Sequence, residues 1–372
     1  MGNKPLRIYV AGTRQNDGKT TAAMGLMNVI CESYPKIGYI KPVGQHFNVV
    51  NSKKIDKDVS LMEDVFHIGS QLQDMSPVAV PRGFTEHYIH HGDKDDLKGQ
   101  ILSGFSRASK NRDFMIIEGT GHAGVGSVID LSNAAVARLL NSPVIIVASG
   151  GIGRPIDEIM LNKALFDSCG VEVLGVIINK VKPEKFEKIN KVVRLGLDRL
   201  GISVLGVAPF FPILASPNLQ QVLEGMRGTL ISGEKFLNHT VSKFIVGAMP
   251  PSTALNYFKG DVLLLTPGNR EDLLLTALIS ESSGSDEDYY SVRGIILTGG
   301  LLPHQRVLHL LEQSPIVAIA VEDDTFTAAQ KINNLIIKIK PHDVEKIKVV
   351  KSMIKEYVDV RMLFKKLAAV TS

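Results

Sequence analysis

The segment that most constrains the fold is residues 11–21, Ala-Gly-Thr-Arg-Gln-Asn-Asp-Gly-Lys-Thr-Thr. It follows the apolar run 7–11 and leads into a helical pattern over residues 20–33. A glycine-containing turn between a buried strand and a helix points backbone N–H groups and the positive helix end at one place. Turns of this kind occur where parallel strands alternate with helices, so the segment predicts an α/β fold.

The residue types in this turn indicate a phosphate-binding loop (P-loop). Lys19 is placed to reach the outer phosphates of a nucleoside triphosphate, and the Thr20 hydroxyl to hold Mg²⁺. The usual spacing is Gly-x4-Gly-Lys-Ser/Thr, whereas here Thr13 stands at the first glycine position and Gly12 comes one residue earlier. A turn that binds no ligand is the alternative. The residues of this loop expected to contact the nucleotide, Lys19 and Thr20 included, are Gly12, Thr13, Asn16, Asp17, Gly18, Lys19, Thr20 and Thr21.

The rest of the chain supports two α/β domains. Apolar runs alternate with helical patterns over the first 220 residues, as in a parallel sheet covered by helices on both faces. Pro217, Gly225, Gly228 and Gly233 then interrupt the pattern, so we place a boundary near residue 220. We expect a P-loop NTPase domain over residues 1–220 and a smaller α/β domain with a helical C-terminal tail over residues 221–372. The strands are predicted at residues 7–11, 37–41, 114–118, 144–148, 173–178, 204–208, 244–247, 262–266, 294–297 and 316–320.

Composition excludes several classes of partner. The net charge is +4, with Lys and Arg scattered rather than clustered, so we expect no binding to nucleic acid. The longest apolar runs, 144–148 and 262–265, are shorter than the roughly 20 residues of a membrane span. Residues 1–7 are polar and unlike a signal peptide. We therefore expect a cytoplasmic protein without a membrane segment.

Four segments together resemble dethiobiotin synthetase and its relatives. The loop matches the family's Gly-Thr-x4-Gly-Lys-Thr, and residues 38–43, 55–59 and 117–121 match three further motifs in the same order. The resemblance implies that Lys41 lies beside the phosphates and the substrate. It implies that Asp58, a better match than Asp56, and Glu118 bind Mg²⁺ together with Thr20. It also places Gly119 and Gly121 in the nucleotide site.

Two more segments extend the resemblance, and one residue departs from it. Residues 178–181 resemble the family's segment in which an asparagine, here Asn179, reads adenine. Residues 206–210 resemble the family's following strand and its loop beside the base, which here contains Pro209. Arg14 stands where dimeric ATPases with a deviant P-loop carry a second lysine that reaches the partner's nucleotide. We therefore expect Lys19, Lys41 and Arg14 to be the catalytic residues, and a homodimer. A solvated loop arginine is the alternative for Arg14.

The second half resembles the DRTGG domain through residues 246–249, 266–272 and 296–300. With the first half, the chain is similar to the N-terminal regulatory portion of long-form phosphate acetyltransferases, and we expect that it does not make acetyl phosphate itself. The resemblance implies an ATP- and Mg²⁺-binding slow ATPase with a regulatory or sensor role, and an effector or protein partner at the second domain. The alternatives are an ATP-dependent ligase of the dethiobiotin synthetase or cobyrinic acid a,c-diamide synthase class, and an interaction module with a relict site.

Overall fold

The protein is described here from a computed structural model, which covers residues 4–92, 94–281, 290–335 and 337–371. The chain forms two compact units. The first comprises the residues up to Phe210 together with those from Ile339 onward, and the second runs from Phe211 to Lys338.

The first unit is built on a parallel sheet of six strands in the order β10-β9-β8-β1-β7-β2. β1, β7 and β8 are apolar at almost every position and buried along most or all of their length, so both faces of the sheet are covered. The strands of this unit are β1 (Leu6–Gly12), β2 (Ile37–Ile40), β3 (Val43–Gly44), β4 (Phe47–Val50), β5 (Lys53–Asp56), β6 (Val78–Ala79), β7 (Phe114–Glu118), β8 (Val144–Ser149), β9 (Val173–Val181) and β10 (Val204–Pro209).

The order of these strands sets the position of the phosphate loop. β1 lies between β7 and β8, and the chain crosses over β1 in passing from β7 to β8. The loop after β1 therefore lies at a topological switch point, where open α/β sheets bind ligands. The helices that precede residue 210 are α1 (Lys19–Ile30), α2 (Lys57–Phe66), α3 (Leu72–Met75), α4 (Phe84–His91), α5 (Lys94–Ala108), α6 (Asn133–Leu139), α7 (Gly153–Ser168) and α8 (Phe186–Asp198).

The second unit is a smaller α/β domain. Its sheet has the order β11-β15-β14-β13-β12, with β11 antiparallel and the others parallel. Val262 and Leu264 of β13 belong to the core on one face, and Leu263 and Leu265 to the core on the other. The elements are α9 (Pro212–Ala215), α10 (Leu219–Met226), β11 (Thr229–Ser232), β12 (Lys243–Val246), α11 (Pro251–Ala254), β13 (Gly260–Pro267), α12 (Glu271–Glu281), β14 (Tyr290–Thr298), α13 (Gln305–Glu312), β15 (Val317–Ala320) and α14 (Thr325–Asn333).

The two last helices, α15 (Val344–Tyr357) and α16 (Val360–Thr371), belong to the first unit. Their buried residues include Val350, Ile354 and Leu363. This differs from the predicted division, which assigned everything after residue 220 to the second domain. An amphipathic pattern shows that a helix has a buried face, but not which unit covers that face.

Gly25 of α1 tests the packing of α15. A Cβ at this position would lie 2.2 Å from Cγ1 of Ile354 and 2.9 Å from the carbonyl oxygen of Val350. We expect Gly25→Ala to lower the free energy of unfolding by about 1–3 kcal/mol, because the added methyl group overpacks the contact. Urea unfolding followed by circular dichroism measures this change.

The matched control is Gly99→Ala in α5, where a Cβ would have no atom within 4 Å. There the same substitution is expected to stabilise by roughly 0.5–1 kcal/mol, since alanine favours the helix. Equal effects of the two substitutions would contradict close packing of α15 on α1.

No helix within the described ranges combines the length and the apolar character needed to cross a membrane.

Candidate nucleotide site

The phosphate loop is held in shape by Asp17. The Asp17 carboxylate is buried and accepts hydrogen bonds from the Thr13 hydroxyl (2.6 Å), the Arg14 backbone N–H (2.7 Å) and the Ser149 hydroxyl (2.6 Å). The Thr13 N–H donates to the carbonyl of Val147 on β8 at 2.9 Å. One carboxylate thus ties the start of the loop to its own second half and to the end of β8.

The turn into α1 depends on Gly18 and Asn179. Gly18 has φ of +97°, and a Cβ there would lie 2.2 Å from Asn179 Nδ2. The Asn179 amide donates to the Asp17 carbonyl at 3.0 Å and accepts from the Lys180 N–H at 2.9 Å. Lys180 Nζ donates to the Asn16 carbonyl at 2.6 Å. The predicted adenine-reading asparagine therefore also supports the backbone of the phosphate loop.

Lys19 begins α1 and turns its side chain back along the loop. Its ammonium donates to the carbonyl of Arg14 at 3.0 Å, and the residue is 8% exposed. Burial lowers the pKa of Lys19, while the carboxylates of Glu118 and Asp17 act in the opposite direction. The ammonium lies over the loop that would hold phosphates, as a P-loop lysine requires.

Lys41, directly after β2, lies among three carboxylates. Its Nζ contacts Asp58 Oδ2 directly, lies 3.1 Å from Asp56 Oδ1 and 3.8 Å from Glu118 Oε1. Burial by itself lowers the pKa of Lys41, but Asp58, Glu118 and Asp56 raise it above its ordinary value. The Met75 carbonyl accepts a hydrogen bond from the Lys41 backbone N–H at 2.8 Å, which fixes the backbone from which the Lys41 side chain extends.

Glu118 connects the loop helix with this cluster. Its Oε1 accepts from the Thr20 hydroxyl at 2.6 Å, and its Oε2 from the Tyr39 hydroxyl at 2.8 Å. Burial raises the pKa of Glu118, while Lys41 opposes that shift. Of the predicted metal ligands, Asp58 and Glu118 therefore lie around one lysine, and Thr20 is joined to them through its bond to Glu118.

The glycines after β7 complete the rim of the site. The Gly119 N–H donates to the Val10 carbonyl at 2.9 Å, and the Gly121 carbonyl accepts from the Gly12 N–H at 3.3 Å. These bonds hold the segment after β7 against the end of β1. Pro209 lies at the carboxyl end of the edge strand β10, paired with Val181 of β9. Thr21 is half-buried in the first turn of α1.

Arg14 points to α7 of its own chain. Its Nε lies 2.9 Å from Glu158 Oε2 and 3.9 Å from Asp17 Oδ1, in an ion pair without an aligned hydrogen bond. Arg154 contacts the other oxygen of Glu158 at 2.7 Å. The Arg14 side chain is 37% exposed, so it borders solvent beside the loop.

Several contacts of the site were not predicted. Asp56 caps α2 by accepting from the Asp58 N–H at 2.9 Å, and its Oδ2 is buried without a hydrogen-bond partner among the described residues. Asn162 of α7 bonds both the Thr13 carbonyl (3.3 Å) and the Ala123 N–H (2.7 Å). Tyr39 stands two residues before Lys41 and so faces the same side of the strand, which is a usable signal. Asn162 follows no motif, and only the fold reveals it.

The carboxyl edge of the second sheet is a separate candidate. Thr266, the second-to-last residue of β13, is fully buried, and its hydroxyl has no hydrogen-bond partner in the part of the chain that the structure describes. The Gly299 and Gly300 N–H groups donate to the carbonyls of Asp323 (2.7 Å) and Val321 (3.0 Å). The Gly-Gly turn therefore uses its amides within the fold rather than presenting them to an anion.

Comparison with protein families gives two matches that follow one another along the chain. A model described as an AAA domain (AAA_26) matches residues 6–218, more than half of the chain, and the DRTGG domain matches residues 221–335. The phosphate acetyltransferase of Nitratidesulfovibrio vulgaris is 26% identical over 95% of this chain and 50% of its own length. That of Synechocystis sp. is 26% identical over 98% of this chain and 52% of its own length. The chain thus spans about half the length of these relatives.

Among solved structures, a putative plasmid partition protein from Borrelia burgdorferi bound to AMPPNP is 16% identical and covers 56% of this chain and 88% of its own, with a TM-score of 0.37. The CBS and DRTGG domains of the Clostridium perfringens pyrophosphatase regulatory region, complexed with diadenosine tetraphosphate, are 20% identical and cover 39% of this chain and 62% of their own, with a TM-score of 0.26.

Proposed function

The chain belongs to the AAA domain family over residues 6–218, and on this premise we propose that its first unit binds ATP with Mg²⁺ and hydrolyses it slowly, in a regulatory or sensor role. The observation that carries the proposal is the convergence of Lys19, Lys41 and Thr20 with buried carboxylates at the carboxyl ends of adjacent strands. Ammonium groups and loop N–H groups supply the positive charge that a triphosphate needs.

The charge balance of the site favours a nucleotide that carries a divalent cation. Around Lys41, three buried carboxylates, those of Asp56, Asp58 and Glu118, surround a single ammonium group. A bare triphosphate would add negative charge to this excess. The hydroxyl of Thr20 and the carboxylates of Asp58 and Glu118 are the hard oxygen donors that Mg²⁺ prefers, and when bound the ion would neutralise charge on the phosphates.

The remaining roles follow from position. Lys19 would hold the outer phosphates, since its ammonium already lies over the loop. Lys41 would stabilise the phosphoryl group that is transferred. Asn179 would read adenine with the amide hydrogen that does not support Asp17, and Pro209 would lie beside the base. Each of these roles places a group at the carboxyl end of a parallel strand, where nucleotides bind in such sheets.

Isothermal titration with the non-hydrolysable analogue AMPPNP tests the proposal. We expect binding with Mg²⁺ present and a much lower affinity in EDTA, because the site's carboxylates repel a bare triphosphate. Absence of binding at millimolar analogue with Mg²⁺ would contradict the proposal and favour a relict site.

Two further measurements separate a sensor from a ligase. A sensor is expected to show different thermal stability or oligomeric state with ATP and with ADP, and identical behaviour would contradict that role. A ligase of the dethiobiotin synthetase class would instead release more ADP when bicarbonate and a diamine are added together.

Arg14 is proposed to act on the nucleotide of a partner subunit in a homodimer. Its guanidinium is placed at the solvent border by Glu158 and must leave this ion pair to reach a partner. Arginines supplied to another subunit's phosphates raise hydrolysis rates by roughly 10³–10⁵ in GTPases. We expect Arg14→Ala to lower hydrolysis per site at least about tenfold at protein concentrations that favour dimers.

Arg154→Ala is the matched control for this prediction, because Arg154 contacts the same Glu158 but is 71% exposed. It is expected to leave the hydrolysis rate unchanged. An Arg14→Ala rate per site equal to that of the wild type at all protein concentrations would rule out action on a partner's nucleotide.

For the second unit we propose a small-molecule effector or protein partner at the carboxyl edge of its sheet. The buried Thr266 hydroxyl supports this location, because buried polar groups are normally paired. Arg270, which donates to the Gly247 (3.3 Å) and Met249 (3.1 Å) carbonyls, closes one side of this edge.

A further inference from the structure

Lys41 occupies the centre of the carboxylate cluster as a cation would. Its ammonium lies within 4 Å of Asp56, Asp58 and Glu118. The lysine side chain is 6% exposed, and the three carboxylates are 1–5% exposed. A lysine ammonium is a compact point charge with three donors, so it satisfies several carboxylates at once.

The same cluster contains two of the three groups proposed to hold Mg²⁺. Yet no group of three or more His, Cys, Asp or Glu side chains is arranged to hold a metal ion anywhere in the residues that the structure covers. In the structure the Lys41 ammonium lies between the carboxylates of Asp56, Asp58 and Glu118. A divalent ion and the ammonium at this position would repel each other strongly, because a buried site screens charge poorly.

We propose that Lys41 excludes divalent metal from the site until nucleotide arrives, so that metal and nucleotide enter together. The inference rests on the proposed function, since the outer phosphates of the nucleotide are the groups that would draw the ammonium away. Lys41 then exchanges carboxylate partners for phosphate partners, and the carboxylates receive Mg²⁺ in its place. In both states a cation lies among the carboxylates, the ammonium in the first and the metal ion in the second.

The anchoring of Lys41 permits such an exchange. Its backbone is fixed by the bond from its N–H to the Met75 carbonyl, whereas its four-carbon side chain is flexible. The carboxylates are held more firmly. Glu118 is fixed by the Thr20 and Tyr39 hydroxyls, and Asp56 by the Asp58 N–H, from which it accepts at the start of α2. Glu118 and Asp56 therefore have contacts that hold their side chains in place when the ammonium leaves.

The test measures Mn²⁺ binding to the full chain without nucleotide. Binding is monitored through the decrease of the electron paramagnetic resonance signal of free Mn²⁺. We expect the wild type to bind Mn²⁺ weakly and Lys41→Met to bind it at least tenfold more tightly. Lys163→Met is the matched control, because it removes the same charge from a lysine paired with Asp167 in the same unit. It is expected to behave as the wild type.

A second variant keeps the proposal testable if Lys41→Met does not fold. Lys41→Met leaves three buried carboxylates without their ammonium, whereas Lys41→Met with Asp56→Asn removes one of those charges and keeps Asp58 and Glu118. The double variant is also expected to bind Mn²⁺ more tightly than the wild type, and Mn²⁺ is expected to raise its melting temperature. Lack of any gain in a folded variant would overturn the proposal.

The wild type provides an independent outcome. Tight Mn²⁺ binding by the wild type without nucleotide would overturn the proposal whatever the variants do. Failure of the proposed function is recognised separately, by the absence of AMPPNP binding with Mg²⁺. If nucleotide does not bind but the variants gain Mn²⁺, Lys41 excludes metal without the coupling to nucleotide, and the coupling is refuted.

Discussion

Replacing Lys19 with alanine is expected to reduce the affinity for AMPPNP with Mg²⁺ by about a hundredfold, or roughly 2.7 kcal/mol. The Lys19 ammonium is buried over the phosphate loop and donates to the Arg14 carbonyl. Truncating one partner of a buried charge pair costs about 2–5 kcal/mol, because the phosphate charge is then left without compensation. Isothermal titration of wild type and variant measures the change.

Lys163→Ala is the control for Lys19→Ala, since it removes a lysine of the same unit whose ammonium pairs with Asp167 on the face of α7. It is expected to bind the analogue as the wild type does. Both variants should be compared in urea unfolding, so that loss of affinity is separated from loss of fold. Unchanged affinity of a folded Lys19→Ala variant would contradict the phosphate-loop assignment.

The central strands of both units could be predicted from the sequence because their residues are apolar on both faces. The runs 114–118 and 144–148 became β7 and most of β8 for this reason. The edge of the second sheet was harder to predict. β11 has only four residues and pairs antiparallel with β15, so its pattern is too short to be separated from a loop. The hairpin of β4 and β5 is largely exposed and lacks an apolar run.

The candidate site also contains features that the sequence predicts and features that it does not. The placement of motif residues such as Lys19, Thr20 and Glu118 beside the ends of strands could be predicted, because their position in the chain fixes it. The contact of Asp56 with Lys41 could not be predicted, since it depends on where the α2 cap places Asp56. The interaction of Arg14 with Glu158 joins residues far apart in the sequence, and no local pattern contains that information. Tertiary packing, rather than propensity, determined these partners.

Gly268→Ala is expected to unfold the second unit or to destabilise it by about 3 kcal/mol or more. Gly268 follows β13 directly, and a Cβ there would lie 1.7 Å from the carbonyl oxygen of Leu301 and 2.4 Å from its carbonyl carbon. Both atoms belong to the backbone, so no side-chain rotation can relieve the overlap. The two chain segments would have to separate by more than an ordinary packing adjustment.

The position of this change makes it a test of the division into two units. If residues 211–338 form their own compact unit, hydrogen exchange in Gly268→Ala should accelerate in β13, β14 and α12, while β1, β7 and β8 keep their protection. Cooperative units open separately in native-state exchange, so the two sets of strands report on different units. Gly99→Ala, where the added methyl group meets no atom within 4 Å, should leave exchange in the second unit as in the wild type and should not accelerate it in the first. Equal acceleration in β1 and β13 would show that the chain unfolds as one cooperative body. Unchanged exchange in β13 would show that the contact between Gly268 and Leu301 is looser than the structure indicates.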